Sequence, residues 1–492
     1  MVTERTDPER DASRNPEAGQ LRTGAVGLPA ALGVTLSNMA PVNGVFLTAP
    51  AVVAAMGTRA PWAFLLAMLG LLTAACTVAA FARRIVSPGS FVAYAYHAFD
   101  TIGLGVVVSS AVFYASLISG PLTIGAVAVF AGNWIAASLG LGGSWWLVIA
   151  LGVLVVATSV VLRGIVTSSL VSLALAAVQV ALLLTFAALL LTASGGSTDV
   201  PLRDAGGDPG GFAGLAGLTF PLAVAGMIGW DNSATMSAEL RRPRRVVPIT
   251  VVASVLIVGG LYSLCSWAGL AGYARWMGAE SGADRFGDPS NSAPFLELAQ
   301  RYAPHAYAVL AVVGAVSSLA CLIAAMIGMS RVTYAAARAG MLPRALGRAS
   351  QRSGVPAGAT LLWSGLILAT VVLPPVLTDA DPTTISAWQA GTGTVPLLLT
   401  VLVTLVSLPL YVWRTAGESL RVLPHLVIPL LGTAVIGWGV YGNVRPDQPY
   451  PGNLYWICTA ATVLLSLLGA LLFARRPEHD LSALGISREE PS

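Results

Sequence analysis

The sequence predicts an all-α integral membrane protein of about twelve spanning helices, and three observations predict it. Apolar residues make up 55% of the 492 positions and charged residues only 10%, where soluble domains carry roughly 25% charged residues. The apolar residues arrive in runs of about twenty, long enough at 1.5 Å per residue to cross a hydrocarbon layer of about 30 Å. The basic residues alternate strongly between the segments that connect these runs. A water-soluble fold could not bury this much apolar surface.

The runs place spans near 25–56, 62–82, 104–133, 145–162, 167–193, 214–235, 246–272, 305–330, 357–377, 387–412, 422–441 and 454–474. Together they form one transmembrane domain over about 25–475, between tails at 1–24 and 476–492. All 27 basic residues are arginine. With an even number of crossings and the amino terminus inside, 21 of the 27 fall on the inner side; Arg59, Arg203, Arg275, Arg285, Arg301 and Arg445 fall outside. This is the asymmetry of the positive-inside rule, so both termini are expected in the cytoplasm and the protein in the cytoplasmic membrane. The polar first two dozen residues lack an apolar stretch followed by a small-residue cleavage site, so no cleaved leader is expected. The outer connections at 194–211 and 273–304 are rich in Gly, Asp, Ser and Pro and read as irregular surface segments.

Composition also excludes chemistries. Without lysine there is no phosphate-loop lysine and no Schiff base. The histidines His97, His305, His425 and His479 lie far apart, and Cys76, Cys265, Cys321 and Cys458 all sit inside apolar runs. Neither set has the spacing of metal ligands, so no metal and no cofactor is expected. The net charge of +4 is accounted for by arginines beside anionic headgroups, and no nucleic-acid partner is implied. The expected partners are the bilayer and a small molecule; nothing in the sequence sets the oligomeric state.

Function is sought where helices are interrupted, because backbone that leaves a helix at membrane depth is tolerated only inside protein or beside a cavity. Span one carries Ser37, Asn38, Met39, Ala40, Pro41, Val42, Asn43 and Gly44. Pro41 removes a donor, Gly44 permits unusual dihedrals, and asparagines are costly in lipid. Span six carries Pro221, Ala225, Gly226, Gly229, Trp230, Asp231 and Asn232. Asp231 is the one acid well inside a span and is a functional-site candidate on that ground. Two interrupted helices, each opening a set of five spans (25–193 and 214–412), point to inverted repeats with a site near the midplane and two appended helices at 422–474. Partially positive half-helix ends suit a carboxylate and unwound carbonyls suit an ammonium or a cation, so a zwitterion satisfies both.

Three stretches carry a resemblance. GWDNSATMSAELRRPRRVVP from Gly229, SRVTYAAARAGMLP from Ser330 with Gly354, Val355 and Pro356, and Ser87, Pro88, Gly89, Ser90 and Tyr94 resemble the amino acid, polyamine and organocation permeases. The resemblance covers about 25–475. It implies a LeuT-like fold of five plus five inverted helices with two more appended, and secondary active transport of amino acids by alternating access. It also implies that Trp230 closes over bound substrate. Two departures stand out: SNMAPVNG replaces the Gly-x-Gly found in many members, and span five offers Ser168, Ser169, Ser172 and Gln179 where some sodium-independent members place a lysine.

The substrate candidates are therefore Ser37, Asn38, Met39, Ala40, Asn43, Gly44, Ala225, Gly226, Gly229, Trp230 and Asp231, with Tyr114 and Ser116 of span three lining the cavity opposite. Asp231 is the candidate for sensing a proton or the substrate amine. Ser317 and Ser318 stand where related folds hold sodium, so coupling to protons is expected with sodium an alternative. Glu239, Arg245, Arg331 and Arg338 are assigned to a cytoplasmic gate or loop anchor. The rival readings are a polyamine or other organic-cation permease, and more remotely a membrane-embedded enzyme or a sensor that binds without transport.

Overall fold

The computed structural model describes residues 20–193, 223–224, 226–288, 291, 293–415, 421–446, 452–476 and 484. Within these the chain is helical, with an isolated backbone bridge between Val26 and Leu240 and no named strand. Ten apolar helical stretches are long enough to cross a membrane, and the first, Leu28–Ala82, runs for 55 residues. At 1.5 Å per residue that is more than twice a hydrocarbon thickness of about 30 Å, so it holds spans one and two. Span six enters the description only at residue 223. Its expected first half, Ala225 and the connection at 194–211 lie outside the described residues.

Span one is the helix Leu28–Asn38 followed, after a break, by Pro41–Asn43, a π-helical turn Gly44–Thr48 and Ala49–Met56. Span two is Ala60–Ala82, three Gly105–Ser138, four Trp145–Leu162, five Ile165–Ala193, seven Pro243–Met277, eight Tyr307–Arg338, nine Ala357–Leu377 and ten Pro382–Arg414. Span eleven is Ile428–Val444 behind a π-turn at Leu423–Val427, and span twelve is Tyr455–Ala474. Spans three, seven, eight and ten run several residues past their expected ends. A hydropathy window sees only the part in hydrocarbon, whereas the helices continue into the polar interface. Span ten, for instance, starts on Pro382 with the Asp381 carboxylate accepting from the Thr383 and Thr384 amides.

Packing sorts the spans into an enclosed centre and a lipid-facing rim. Span eight is 78% buried over its apolar window and span nine 22%. Span one lies against five, seven and eight; spans two and seven pack together, as do three and ten, and five and eight. Span twelve turns Leu464, Leu465, Leu468 and Leu472 outward, and Trp62, Trp145, Trp413 and Trp456 stand exposed near helix ends, the position of an interfacial aromatic belt.

Two elements correct the sequence reading. The short helix Phe91–Phe99, called the linker helix below, lies between spans two and three where no helix was expected. The segment 273–304, read as irregular, folds into the helices Ala279–Gly287 and Pro294–Tyr302. Both are amphipathic and too short for a spanning window. Phe286 and Phe295 meet edge to face at 5.2 Å, and Phe295 stacks on Phe46 of span one at 5.4 Å.

The polar side of this helical hairpin is organised by one acid. Glu297 accepts from Arg285 at 2.9 Å, from the Tyr273 hydroxyl at 2.5 Å and from Asn291 at 2.6 Å. Partial burial raises the Glu297 pKa, but the bonds from Arg285, Tyr273 and Asn291 outweigh it and hold the carboxyl below its usual range. A carboxylate with a depressed folded pKa contributes stability that is complete above its unfolded value of about 4.3 and is lost as pH falls through the folded value. Glu297→Gln should therefore lower the thermal midpoint of the purified protein at neutral pH. The gap from wild type should close as the pH is lowered past the carboxylate range; a gap independent of pH would show that the charge of Glu297 is not what holds the hairpin.

Candidate binding site at two interrupted helices

Span one breaks for a local reason. Pro41 disfavours right-handed helical dihedrals at the residue before it, and Ala40 is left-handed at φ 45° and ψ 65°, a conformation costing a non-glycine residue about 1 kcal/mol or more. The helix restarts with the Gly44 amide donating to Ala40 O at 2.9 Å. Span six turns over residues 226–230, with Gly229 at φ 103°, and resumes as Asn232–Thr235. The two breaks meet: Asn38 Nδ2 donates to Gly229 O at 3.3 Å, and a Cβ on Gly229 would lie 2.7 Å from that nitrogen.

The freed carbonyls find partners on neighbouring spans. The Tyr262 hydroxyl, buried in span seven, lies 3.1 Å from Met39 O and 2.9 Å from Gly226 O, so one O–H serves a carbonyl from each break. A Cβ on Gly44 would fall 1.6 Å from the Tyr262 oxygen, which makes glycine a steric requirement there. Cys321 of span eight donates its thiol to Asn38 O at 3.3 Å. Gly44 has ordinary helical dihedrals, φ -61° and ψ -45°, so it is required for space and not for the unusual backbone expected of it; Tyr262 escaped the sequence reading because a single tyrosine in an apolar span carries no local signal, and its pairing with Gly44 is visible only in space.

Asn43 and the two serines of span eight come together. The Asn43 amide donates to Ser317 Oγ at 3.4 Å, Asn43 Nδ2 donates to Ser318 Oγ at 2.8 Å, and Ser317 donates to Gln179 Oε1 of span five at 2.6 Å. Ser37 donates to Ser172 O at 2.9 Å. All six side chains are buried. Asn43 Oδ1, Gln179 Nε2 and Ser172 Oγ have no hydrogen-bond partner, so the junction of spans one, five and eight holds polar capacity that protein alone leaves unused.

Trp230 is buried, its carbonyl accepting from Ser254 at 3.4 Å and its ring 6.2 Å from Phe91 of the linker helix. Asp231 is half-buried, precedes Asn232–Thr235 without capping it, and is near enough to Tyr94 to interact electrostatically. Asn232 donates to Ala324 O at 2.7 Å and fastens the second break to span eight. Tyr114 and Ser116 bond within and beyond span three. The Tyr114 hydroxyl donates to Met341 O beyond span eight at 3.0 Å, its ring faces Gly469 of span twelve, and Ser116 bonds back to Val112 O at 2.9 Å. Helical phase, which a hydropathy reading does not fix, decides that outcome.

Residues 20–27 mark the N-terminal face, and there the segment after span six is locked in place. Arg331 Nε and Nη2 meet the Glu239 carboxylate at 2.9 and 3.3 Å, with both side chains at 0% exposure, and Nη1 bonds Ile327 O and Ser330 Oγ. Val26 donates to Glu239 O at 3.0 Å and accepts from the Arg241 amide at 2.8 Å; Arg22 donates to Arg352 O at 2.8 Å. Arg338 donates to the Tyr334 hydroxyl at 2.9 Å. Arg245 is exposed and lines a shallow cavity with Val86, Arg242, Pro243 and Arg244.

Two outcomes follow from these geometries. Arg331→Met strands a buried carboxylate and should destabilise the folded protein by about 3–5 kcal/mol, with much of the loss recovered in Glu239→Leu/Arg331→Met; thermal unfolding of both variants checks this, and a double variant no better than the single would count against the pair. Tyr262→Phe deletes a bond worth about 1 kcal/mol while preserving shape. It should leave the elution profile on size exclusion unchanged and lower the thermal midpoint slightly, whereas Gly44→Ala should yield little folded protein.

The family model for amino acid permeases matches residues 26–473. Over 233 residues the chain is 27% identical to the branched-chain amino acid permease BcaP of Lactococcus lactis subsp. cremoris (strain MG1363), a match covering 46% of each chain. The chain thus spans about half the length of that relative. With a match that takes in both breaks and every described span, the chain belongs to the amino acid permease family.

Proposed function

We propose that this chain is a secondary active transporter that moves amino acids across the cytoplasmic membrane by alternating access, driven by protons, with both termini in the cytoplasm. The observation that carries the reading is the meeting of two interrupted helices at Asn38 and Gly229, tied by Tyr262. Backbone released from helices in the enclosed centre of the bundle is the arrangement in which transporters hold substrate.

A LeuT-like five-plus-five repeat with two appended helices is supported by the packing. Span two against span seven is the pairing an inverted repeat makes with itself, and five against eight has its counterpart in ten against three. The cytoplasmic orientation is supported by the arginine asymmetry and by Arg22, Arg241, Arg331 and Arg352 meeting on one face.

Protons are favoured over sodium by the place of a carboxyl group beside the second break, while the unpartnered Asn43 Oδ1 next to Ser317 and Ser318 makes sodium the alternative to test. Asp231, beside the second break, is then the titratable group best placed to couple a proton or to meet the substrate ammonium. An aliphatic, neutral amino acid suits a site flanked by Met39, Ile228 and Trp230, and the relative named above is a branched-chain amino acid permease. A polyamine would call for several carboxylates, and Glu239 is already bound to Arg331.

Uptake of labelled amino acids and polyamines into proteoliposomes, under an imposed proton or sodium gradient, tests the proposal. Branched-chain amino acids should enter with the proton gradient, and Asp231→Asn should abolish accumulation while leaving binding measurable. Accumulation that follows sodium would overturn the coupling, polyamine uptake would overturn the substrate, and binding without flux of any compound would favour a sensor.

A further inference from the structure

We propose that the arginine-lined cavity at the start of span seven binds the headgroup of an anionic phospholipid, with an acyl chain laid along the outer face of that span. The cavity, about 430 Å3 in volume, is lined by Val86, Arg242, Pro243, Arg244 and Arg245, and it falls in the range of about 300–1,000 Å3 usual for small-molecule sites. It lies where the turn after span two meets the first turn of span seven. This is the face marked by residues 20–27, since the adjoining Arg241 donates from its side chain to Gly24 O at 3.0 Å. All three lining arginines are exposed.

Three like charges at this place run against the electrostatics of the element that carries them. The amino end of a helix is partially positive and disfavours bases in its first turn, yet span seven opens on Pro243-Arg244-Arg245 with no acid in that turn and no capping side chain. The stretches that form the cavity, 60–99 and 240–279, contain no Asp or Glu. Glu239, the nearest acid in sequence, is bound to the buried Arg331, and among the described residues Arg242 and Arg245 enter no ion pair. Guanidinium groups gathered in one cavity, with no carboxylate from either stretch, fit a phosphate, whose oxygens accept paired hydrogen bonds from each fork.

The surface that leads away from the cavity sets a lipid apart from a free phosphate. Ile249 and Leu256 are 42% and 44% exposed. With about 100° of turn per residue, Arg245, Ile249 and Leu256 lie within about 40° of one another around the helix, and Leu256 stands about 16 Å from Arg245 along it, roughly the depth of one leaflet. Arg245 is thus continuous with side chains that meet lipid tails. Basic groups at the membrane surface attract anionic headgroups, and here the apolar track tells where the tail goes.

Headgroup binding depends on residence in a membrane and not on flux, so it and the transport reading fail separately. The full chain, purified in a mild detergent, is mixed with dioleoylphosphatidylglycerol or dioleoylphosphatidylcholine, and bound lipid is counted by native mass spectrometry. Phosphatidylglycerol should be retained in preference. Arg242→Gln/Arg244→Gln/Arg245→Gln should weaken its binding by about tenfold or more, about fivefold being available from each arginine. Arg344→Gln/Arg348→Gln/Arg352→Gln removes the same charge from exposed arginines beyond span eight and should leave binding nearly unchanged. On the wild-type chain, which needs no variant to fold, millimolar glycerol phosphate should not displace the lipid, and phosphatidylglycerol with short acyl chains should bind more weakly. No preference for phosphatidylglycerol, or equal losses in the two triple variants, overturns the site. Displacement by glycerol phosphate overturns lipid as the source of the phosphate. Preferential binding by a chain that moves no amino acid supports the site and rejects the transport reading.

Discussion

A carbonyl that leaves its helix at membrane depth has no water to accept from, and the centre of this protein is arranged around where such carbonyls go. Met39 O and Gly226 O share the Tyr262 hydroxyl, Asn38 O takes the Cys321 thiol, and Gly229 O takes the Asn38 amide. Each donor comes from a different part of the chain. Two of them impose a condition: the hydroxyl needs glycine at 44, and the amide needs glycine at 229. The Tyr262 hydroxyl therefore ties a carbonyl of each break to span seven.

The two ends of the bundle solve a different problem with the same chemistry. On the N-terminal face Glu239 and Arg331 are fully buried and meet each other in a two-pronged pairing, with Ile327 O and Ser330 Oγ accepting from Nη1. A buried pair of this kind adds little net stability over an apolar pair, because desolvation offsets the attraction, but breaking it is expensive. It fixes the register of the segment after span six against span eight. At the opposite face Glu297 gathers Arg285, Tyr273 and Asn291 in a more exposed setting, where the attraction is screened and the aromatic contact of Phe295 with Phe46 carries more of the docking. The N-terminal clamp is thus the stiffer of the two.

The breaks were legible in the sequence because their causes are local: Pro41 after Ala40, and Gly226 and Gly229 around Met227 and Ile228, interrupt a helix whatever surrounds them. The spans were legible because lipid imposes length and polarity on each separately. Tyr262 was not, since its partners lie 223 and 36 positions away and an aromatic hydroxyl in an apolar run has no periodic signature. The hairpin at 273–304 was missed because helices of nine residues fall below a spanning window, while their Gly, Asp and Ser content imitates a loop. Tyr114 shows a third limit: its span was placed correctly, but the rotation of the helix turns it toward Met341 and away from the breaks.

The charges explain why Asp231 stands apart. Between residues 223 and 245 the described acids are Asp231 and Glu239, and span eight offers a single buried cation, Arg331, to the segment that holds both. Glu239 takes that cation in a two-pronged pairing. A guanidinium engaged on both faces of its fork has little to offer a second carboxylate, so Arg331 does not serve Asp231, which stands beside the second break within electrostatic reach of Tyr94. An unpaired carboxylate in such a place is costly, and either a proton or an incoming ammonium group relieves the cost. By engaging Arg331, the ion pair at the N-terminal face leaves Asp231 outside it, and among the described residues the Asp231 carboxylate forms no ion pair.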